Sequence, residues 1–171
     1  NAVIVGISPV AGNRIKMWPA ERFAAVADFC SAQYGAKILI IASPREREDV
    51  ESMISMIDSK TKFLTTTGGL SSIEELKAII AKLTMFVSVD TGPIYIAEAF
   101  HVPTIDITGP IDEHEQPPIG PRNIVIVPPT RSSPELFVMN ARSYNYEEAR
   151  RQAESISVDS VCRACAVLLS S

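Results

Sequence analysis

Short apolar runs alternate with helical patterns along most of the chain. The apolar runs predict six strands, at 2–8, 37–42, 62–65, 85–89, 103–108 and 123–129. Between them, apolar residues recur every three or four positions, which predicts helices at 19–34, 43–57, 71–83 and 92–100. Because apolar strands separated by helices form parallel sheets that are covered on both faces, the sequence predicts a Rossmann-like, doubly wound α/β fold.

Capping signals mark two of the helix starts, and the pattern changes towards the C-terminus. The signals are Ser43 with Pro44 and Glu46, which match a capping box, and Ser71 or Ser72 before the third helix. After residue 128, a loop-rich stretch leads to two further helical patterns at 146–155 and 158–169. We therefore expect a single domain over 1–171, in which 129–171 form a loop and helical extension.

Composition and charge narrow the class of protein. The 171 residues carry a net charge of −4 and a pI of about 5.2, which argues against a nucleic-acid-binding surface. No apolar run approaches the roughly 18 residues needed to cross a bilayer, so no transmembrane segment is expected. Three sparse cysteines fit a reducing compartment. Cys162 and Cys165 lie in a helical pattern without the two further ligands that zinc would need.

The strand-to-helix junctions are where an open α/β sheet binds its ligands. At one junction the run 85–89 ends in Asp90-Thr91-Gly92-Pro93, and a helical pattern follows at once. Gly92 would let a ligand approach the backbone, Thr91 offers a hydroxyl, and a helix N-terminus suits an anion such as phosphate. We expect Asp90 to accept from backbone amides or from a sugar hydroxyl. A capped turn that serves only its own backbone is the alternative.

A second junction carries cations. Lys16 and Arg14 lie in the loop before the first helix, where either a phosphate or solvent would satisfy their charges. Trp18 is the only tryptophan, and we expect it to anchor the start of that helix. Neither GxGxxG nor GxxxxGK[ST] occurs, which argues against a dinucleotide site and against a P-loop.

Several of these segments together resemble a known family. RIKMWPAERFAAVAD, IASPRERE and GGLSSIEELKAIIAKLTMFVSVDTGPIYIAEAFHVPTIDITGP look like the C-terminal half of glycosyltransferase family nine, the ADP-heptose:lipopolysaccharide heptosyltransferases. K-x-W-P, followed about 70 residues later by D-T-G-P-x-x-x-A-x-A, is the specific part. The resemblance implies the C-terminal half of a GT-B fold, in which two Rossmann-like domains flank the active site and the C-terminal domain holds the donor.

On the diphosphate side of the donor, the resemblance implies four contacts. Lys16 would bind the diphosphate, while Asp90, Thr91 and Gly92 would meet the diphosphate and the sugar at a helix N-terminus. The family usually has histidine where this chain has Tyr95. A tyrosine hydroxyl can donate to a phosphate but stays neutral near pH 7, so Tyr95 would either contact the donor or fill the cleft wall.

The resemblance also implies two contacts on the nucleoside side and a turn at the rim of the site. Glu46, or else Glu48, would bind the ribose hydroxyls, and Ser71 would line the adenine. Gly109 and Pro110 match a turn at the rim of the site. An ADP-sugar, or another nucleotide diphosphate-sugar, is therefore the expected donor. No D-x-D motif occurs, and neither a metal nor another cofactor is required by this hypothesis.

The family likeness also suggests that part of the enzyme lies outside this sequence. Asn1-Ala2 leads straight into a strand, so we expect an earlier domain that carries the acceptor site and the catalytic base. No catalytic residue is expected in this chain, which alone would be inactive. The whole protein would transfer heptose or a similar sugar to lipopolysaccharide or another glycan or lipid-linked acceptor. It would act in the cytoplasm, either free or peripheral at the inner membrane.

Two other functions fit parts of the pattern. A degenerate relative would be a non-catalytic nucleotide-binding module, with Tyr95 as a sign of lost turnover. A flavodoxin- or receiver-like domain would have the same layers, but the end of the first strand lacks the acids of a receiver. The charge run 112–115 is typical of a solvated loop, and His101 is expected only to cap a helix.

Overall fold

The computed structural model describes residues 2–70, 72–137 and 143–170, which build a parallel sheet with helices on both faces. Its strands are β1 (Ile4–Ser8), β2 (Lys37–Ile40), β3 (Phe63–Thr65), β4 (Met85–Val89), β5 (Thr104–Ile107) and β6 (Asn123–Ile126). Its helices are α1 (Ala20–Tyr34), α2 (Arg47–Ile54), α3 (Ile73–Ile80), α4 (Gly92–Ala99), α5 (Tyr146–Ser155) and α6 (Val158–Leu169). The strand order is β3-β2-β1-β4-β5-β6, all parallel, which confirms the predicted fold.

Alternate residues of the strands face two separate apolar cores. On one face, β1 residues such as Val5 and Ile7 pack with buried side chains of α1, α2 and α6. On the other face, Ile41 and Phe86 pack with buried side chains of α3 and α4. This division follows from the pleat, because successive side chains of a strand point to opposite faces of the sheet. The helices α1 and α2 therefore lie on one face of the sheet, and α3 and α4 lie on the other.

The three cysteines belong to the core between α1 and α6. Cys30, Cys162 and Cys165 are free thiols, and all three are buried. Burial raises the pKa of the Cys162 thiol to about 11, so it stays protonated near neutral pH. Their packing agrees with the prediction that the Cys162-x-x-Cys165 pair is structural.

The second helix is shorter than the sequence predicts. Residues Pro44–Glu46 form a 3-10 helix, and α2 starts only at Arg47. The predicted contact between Ser43 and Glu46 is present at this turn, since the Ser43 N–H donates to the Glu46 carboxylate at 2.6 Å. Ser72 caps α3 as expected, since its hydroxyl accepts from the Glu75 N–H at 3.2 Å. None of the described helices has the length and hydrophobicity that crossing a bilayer requires.

Trp18 anchors the start of α1, as the sequence predicts. Its side chain is 1% exposed, and its ring meets Phe23 edge to face at 5.0 Å. The indole N–H donates to the Ile156 carbonyl at 3.0 Å, and Arg22 donates to the same oxygen. Because Ile156 lies between α5 and α6, this contact ties the loop after β1 to the C-terminal helices.

Replacing Trp18 should therefore destabilise the fold. Trp18→Ala is expected to lower the free energy of unfolding by about 3–5 kcal/mol, the usual cost of truncating a large buried aromatic. Trp18→Phe should cost less, since it keeps a ring and leaves Arg22 to satisfy the Ile156 carbonyl. Urea unfolding of both variants tests this, with Val167→Ala at a 63% exposed position as the control. A Trp18→Ala loss below about 1 kcal/mol would contradict the anchoring role.

Candidate functional site

A crevice opens at the carboxyl end of the sheet, between β1 and β4. These strands are neighbours, but α1 packs on one face of the sheet and α4 on the other. Such a switch point separates the loops that follow the two strands, and open α/β sheets bind ligands there. The loop after β1 contains a 3-10 helix over Arg14–Lys16, and the loop after β4 contains Asp90.

The Asp90–Pro93 junction is a buried strand end followed directly by a helix. Thr91 is the extended residue before α4, with φ of −142° and ψ of 161°, and Gly92 is the first helical residue. Pro93 is the second helical residue, where its missing N–H costs nothing. A Cβ placed on Gly92 would meet no atom within 4 Å, so the space beside the helix N-terminus is open. The Thr91 hydroxyl lies 3.1 Å from that of Ser88.

Lys16 and Tyr95 both bind Asp90. Lys16 Nζ lies 2.9 Å from Asp90 Oδ2 and 2.9 Å from the Asp90 carbonyl oxygen. Tyr95 Oη lies 2.8 Å from Asp90 Oδ1 and 2.8 Å from the Gln116 carbonyl oxygen, so one proton serves two acceptors. With Asp90 only 9% exposed, the carboxylate depends on these partners for compensation. We call Lys16, Asp90 and Tyr95 the Asp90 cluster.

Tyr95 is held in its neutral form. Burial raises the pKa of its hydroxyl most, followed by the hydrogen bond to Asp90 and the charges of Asp90, Asp106 and Glu98. A hydroxyl that keeps its proton remains a donor at every pH near neutrality. Tyr95 also fixes the long loop after β5, because it bonds the Gln116 carbonyl.

A cavity of about 460 Å³ lies beside the Asp90 cluster. Polar groups on its wall include Ser8, Thr91 and Glu46. Much of the remaining wall is apolar, formed by Val10, Ile41, Pro44, Leu70, Ile73, Leu76 and Pro93. A cavity of this volume and composition suits a flat apolar group with a few polar substituents.

The structure separates the two candidates for the ribose-binding acid. Glu46 lies on the wall of the cavity, and its carboxylate is fixed by the Ser43 N–H at 2.6 Å. Glu48 is exposed on α2 and does not line this cavity. Ser71 lies outside the described residues, while its neighbours Leu70 and Ser72 both line the cavity.

Gly109 and Pro110 form a buried turn behind Lys16. Gly109 has φ of +56°, a conformation that favours glycine, and a Cβ there would lie 3.7 Å from the Lys16 carbonyl oxygen. Arg131 donates to the carbonyls of Gly109 and Ile111 at 3.3 and 2.7 Å and also pairs with Glu113. Glu113 is therefore engaged in holding the turn, although its carboxylate lies within 4.8 Å of possible ligand atoms on Asp112 and His114.

Asp106 is a buried acid that the sequence interpretation did not single out. It lies on β5, is 2% exposed, and its Oδ1 has no hydrogen-bond partner among the described residues. Burial and then the charge of Asp90 raise its pKa to about 8, while Lys16 opposes the shift. The sequence does contain a feature that could have identified Asp106, because an acid lies within the otherwise apolar predicted strand Thr-Ile-Asp-Ile.

The fold gives the class of protein, and comparison with known proteins gives the family. The fold is that of a Rossmann-like domain with a ligand crevice at its switch point. The profile of glycosyltransferase family 9 (heptosyltransferase) matches residues 1–146, and the chain belongs to this family. Lipopolysaccharide heptosyltransferase 3 of Escherichia coli is 29% identical over 109 residues, which cover 63% of this chain and 32% of that protein.

Two solved structures share the fold. The E. coli ADP-heptose lps heptosyltransferase II superposes with a TM-score of 0.81 at 18% identity, over 99% of this chain and 47% of that one. The E. coli heptosyltransferase WaaC with ADP superposes with a TM-score of 0.74 at 18% identity, over 98% of this chain and 44% of that one. This chain therefore spans less than half the length of the proteins it matches.

The raised pKa of Asp106 makes a prediction about stability. The unfolded chain loses this proton near pH 4 and the folded chain only near pH 8, so the folded state becomes less stable as pH rises between these values. Asp106→Asn has no charge to bury. The free energy of unfolding of Asp106→Asn minus that of the unmodified chain should therefore increase with pH, by up to about 1.4 kcal/mol per pH unit. This difference should level off above pH 8.

Urea unfolding of both chains from pH 5 to pH 9 measures this difference directly. The other titrating groups cancel when the two curves are subtracted. Asp159→Asn, at an exposed position on α6, is the matched control and should show no trend with pH. A constant difference between Asp106→Asn and the unmodified chain would contradict the buried, neutral state of Asp106.

Proposed function

We propose that this chain is the donor-binding domain of a glycosyltransferase that moves heptose or a similar sugar from a nucleotide diphosphate-sugar to lipopolysaccharide or another glycan. The observation that carries the proposal is the position of Lys16, which reaches Asp90 at the N-terminus of α4 beside the 460 Å³ cavity. A cation, a helix N-terminus and an apolar cavity together match the phosphate and base of a nucleotide.

The diphosphate binds between Lys16 and α4 in this proposal. An ammonium group has three donors, and two of those on Lys16 serve Asp90. The third can donate to a phosphate oxygen without breaking the ion pair. Thr91 adds a hydroxyl, and Gly92 leaves room for the phosphate against the backbone. As the sugar departs, these groups stabilise the negative charge that develops on the leaving diphosphate.

The nucleoside occupies the cavity. Its apolar wall contacts the base, while Glu46 at the rim accepts from the ribose hydroxyls. The family resemblance assigns Ser71 to the base; that residue lies outside the described part of the chain, and its sequence neighbours Leu70 and Ser72 line the cavity. ADP is the nucleotide we favour, because family 9 includes heptosyltransferases and one solved relative binds ADP. No metal or further cofactor is required in this proposal.

The acceptor and the catalytic base belong to another domain in this proposal. The proteins that match this chain are more than twice as long, which leaves room for a second domain. Deprotonation of the acceptor hydroxyl would take place on that domain, across the crevice from the donor. In this proposal the whole protein lies in the cytoplasm, either free or peripheral at the inner membrane.

A non-catalytic nucleotide-binding module is the second candidate. The contact of Tyr95 with Asp90 favours it, because a neutral hydroxyl occupies the place of the usual family histidine and already satisfies one carboxylate oxygen. The full-length protein distinguishes the two functions. Release of ADP from an ADP-sugar in the presence of a lipopolysaccharide acceptor supports the transferase, whereas nucleotide binding without turnover supports the module.

Binding of nucleotide to this chain tests the proposed site. We expect calorimetry to detect ADP with a Kd below about 1 mM, the range of ordinary substrate sites. Lys16→Met should weaken binding roughly 10- to 100-fold, the cost of losing one charge-assisted hydrogen bond. Gly92→Val should abolish binding, because its side chain fills the open space beside α4.

Lys82→Met is the matched control, since Lys82 is exposed just before β4, at the amino end of the strand. It should bind ADP as the unmodified chain does. UDP is the comparison ligand, and tighter binding of UDP than of ADP would change the assigned base. Absence of binding by either nucleotide at millimolar concentration would refute the proposed function.

A further inference from the structure

A row of buried polar side chains crosses the sheet at its carboxyl end. Ser8 of β1 pairs in register with Ser88 of β4, and Ser88 pairs with Asp106 of β5. Residues opposite each other on adjacent strands share a face of the sheet, here the face that packs against α4. Their exposures are 5%, 0% and 2%. Because Ser8 lines the 460 Å³ cavity, the row leads from the cavity wall to Asp106.

Asp106 is the member of this row with a buried carboxyl oxygen, Oδ1, that is unsatisfied within the described part of the chain. Its Oδ1 has no hydrogen-bond partner among the described residues, whereas the Ser88 hydroxyl donates to the Val89 carbonyl at 2.6 Å. An isolated carboxylate is costly to bury, so a buried acid without partners keeps its proton. This agrees with the pKa of Asp106, which burial and Asp90 raise to about 8.

The charges that act on Asp106 are those of the proposed donor site. Asp90, at the end of β4, favours the neutral form of Asp106, and Lys16 favours the ionised form. From α4, Tyr95 presents a neutral hydroxyl, and Glu98 accepts from the Ile119 and Gly120 amides on the loop before β6. On its other side, β6 presents Val125 as the register partner of Asp106. Lys16 is therefore the cation that opposes protonation.

We propose that Asp106 is a positioning residue that couples donor binding to the uptake of one proton. The site holds a nucleotide diphosphate when the Asp106 carboxyl is neutral, and ionisation of Asp106 weakens that hold. The inference rests on the proposed function, since it needs a diphosphate at Lys16. Asp106 itself does not touch the donor.

The coupling follows from charge balance. A bound diphosphate adds negative charge to a buried cluster that already contains Asp90, and it shares the Lys16 cation. Both changes favour the neutral form of Asp106, so a proton from solvent forms an O–H bond on its carboxylate as the anion binds. The proton returns to solvent when the diphosphate leaves, and no other reactant is needed.

Calorimetry of ADP binding in buffers of different ionisation enthalpy counts this proton. At pH 9, Asp106 is mostly ionised in the free chain, and ADP itself no longer titrates because the second pKa of a phosphate is near 6. We expect between about half and one proton to be taken up per ADP, and binding roughly tenfold weaker at pH 9 than at pH 7. Asp106→Asn should take up no proton and should bind equally at both pH values.

Asp159→Asn, whose side chain is 73% exposed on α6, is the matched control and should keep the full proton uptake. If Asp106→Asn does not fold, the smaller Asp106→Ser carries the same expectation. ADP binding without proton uptake by the unmodified chain would overturn the inference and leave the proposed function intact. Proton uptake that persists in Asp106→Asn would also overturn it. Absence of ADP binding from pH 6 to pH 9 would remove the proposed function and this inference together.

Discussion

Lys16 reaches across the switch point of the sheet and binds both the carboxylate and the backbone carbonyl of Asp90. The two residues come from loops that follow β1 and β4 and lie 74 positions apart. The carboxylate is nearly buried, and a buried charge is tolerated only where a partner compensates for its lost hydration. This single pair therefore fixes the distance between the loop that follows β1 and the loop that follows β4.

The pair acts on its surroundings because Asp90 is only 9% exposed and Asp106 only 2% exposed. Burial contributes most to the raised pKa values of Tyr95 and Asp106, and the charge of Asp90 raises both further, although neither residue is adjacent to Asp90 in sequence. In a medium of low dielectric, one charge changes the protonation of its neighbours over several ångströms. Of the two buried carboxyl groups Asp90 and Asp106, Asp90 is paired with Lys16, whereas Asp106 forms no ion pair with any residue that the structure describes.

Local patterns were sufficient to predict most of the fold. Apolar strands such as Met85–Val89 and the helix starts at Ser72 and Gly92 follow from residues that are close in sequence. The Lys16–Asp90 contact does not, because the pattern predicts where each loop lies but not which side chains meet across the crevice. Asp106 was missed for a related reason, since its importance depends on the charge of Asp90 on the neighbouring strand.

An anionic ligand at Lys16 either replaces the hydrogen bonds between Lys16 and Asp90 or binds in addition to them. If both contacts of Lys16 with Asp90 had to break, binding of an anion would leave the buried Asp90 carboxylate without its cation, at a cost of several kcal/mol. An ammonium group has three donors, however, and within the described part of the chain its hydrogen bonds to protein oxygens go to Asp90 alone. In the proposed complex, a phosphate oxygen accepts from the third donor of Lys16 while both contacts with Asp90 persist, so the pair holds the lysine in place for the anion. The residual imbalance of charge then falls on the neighbouring carboxyl group that can still take up a proton, which is Asp106.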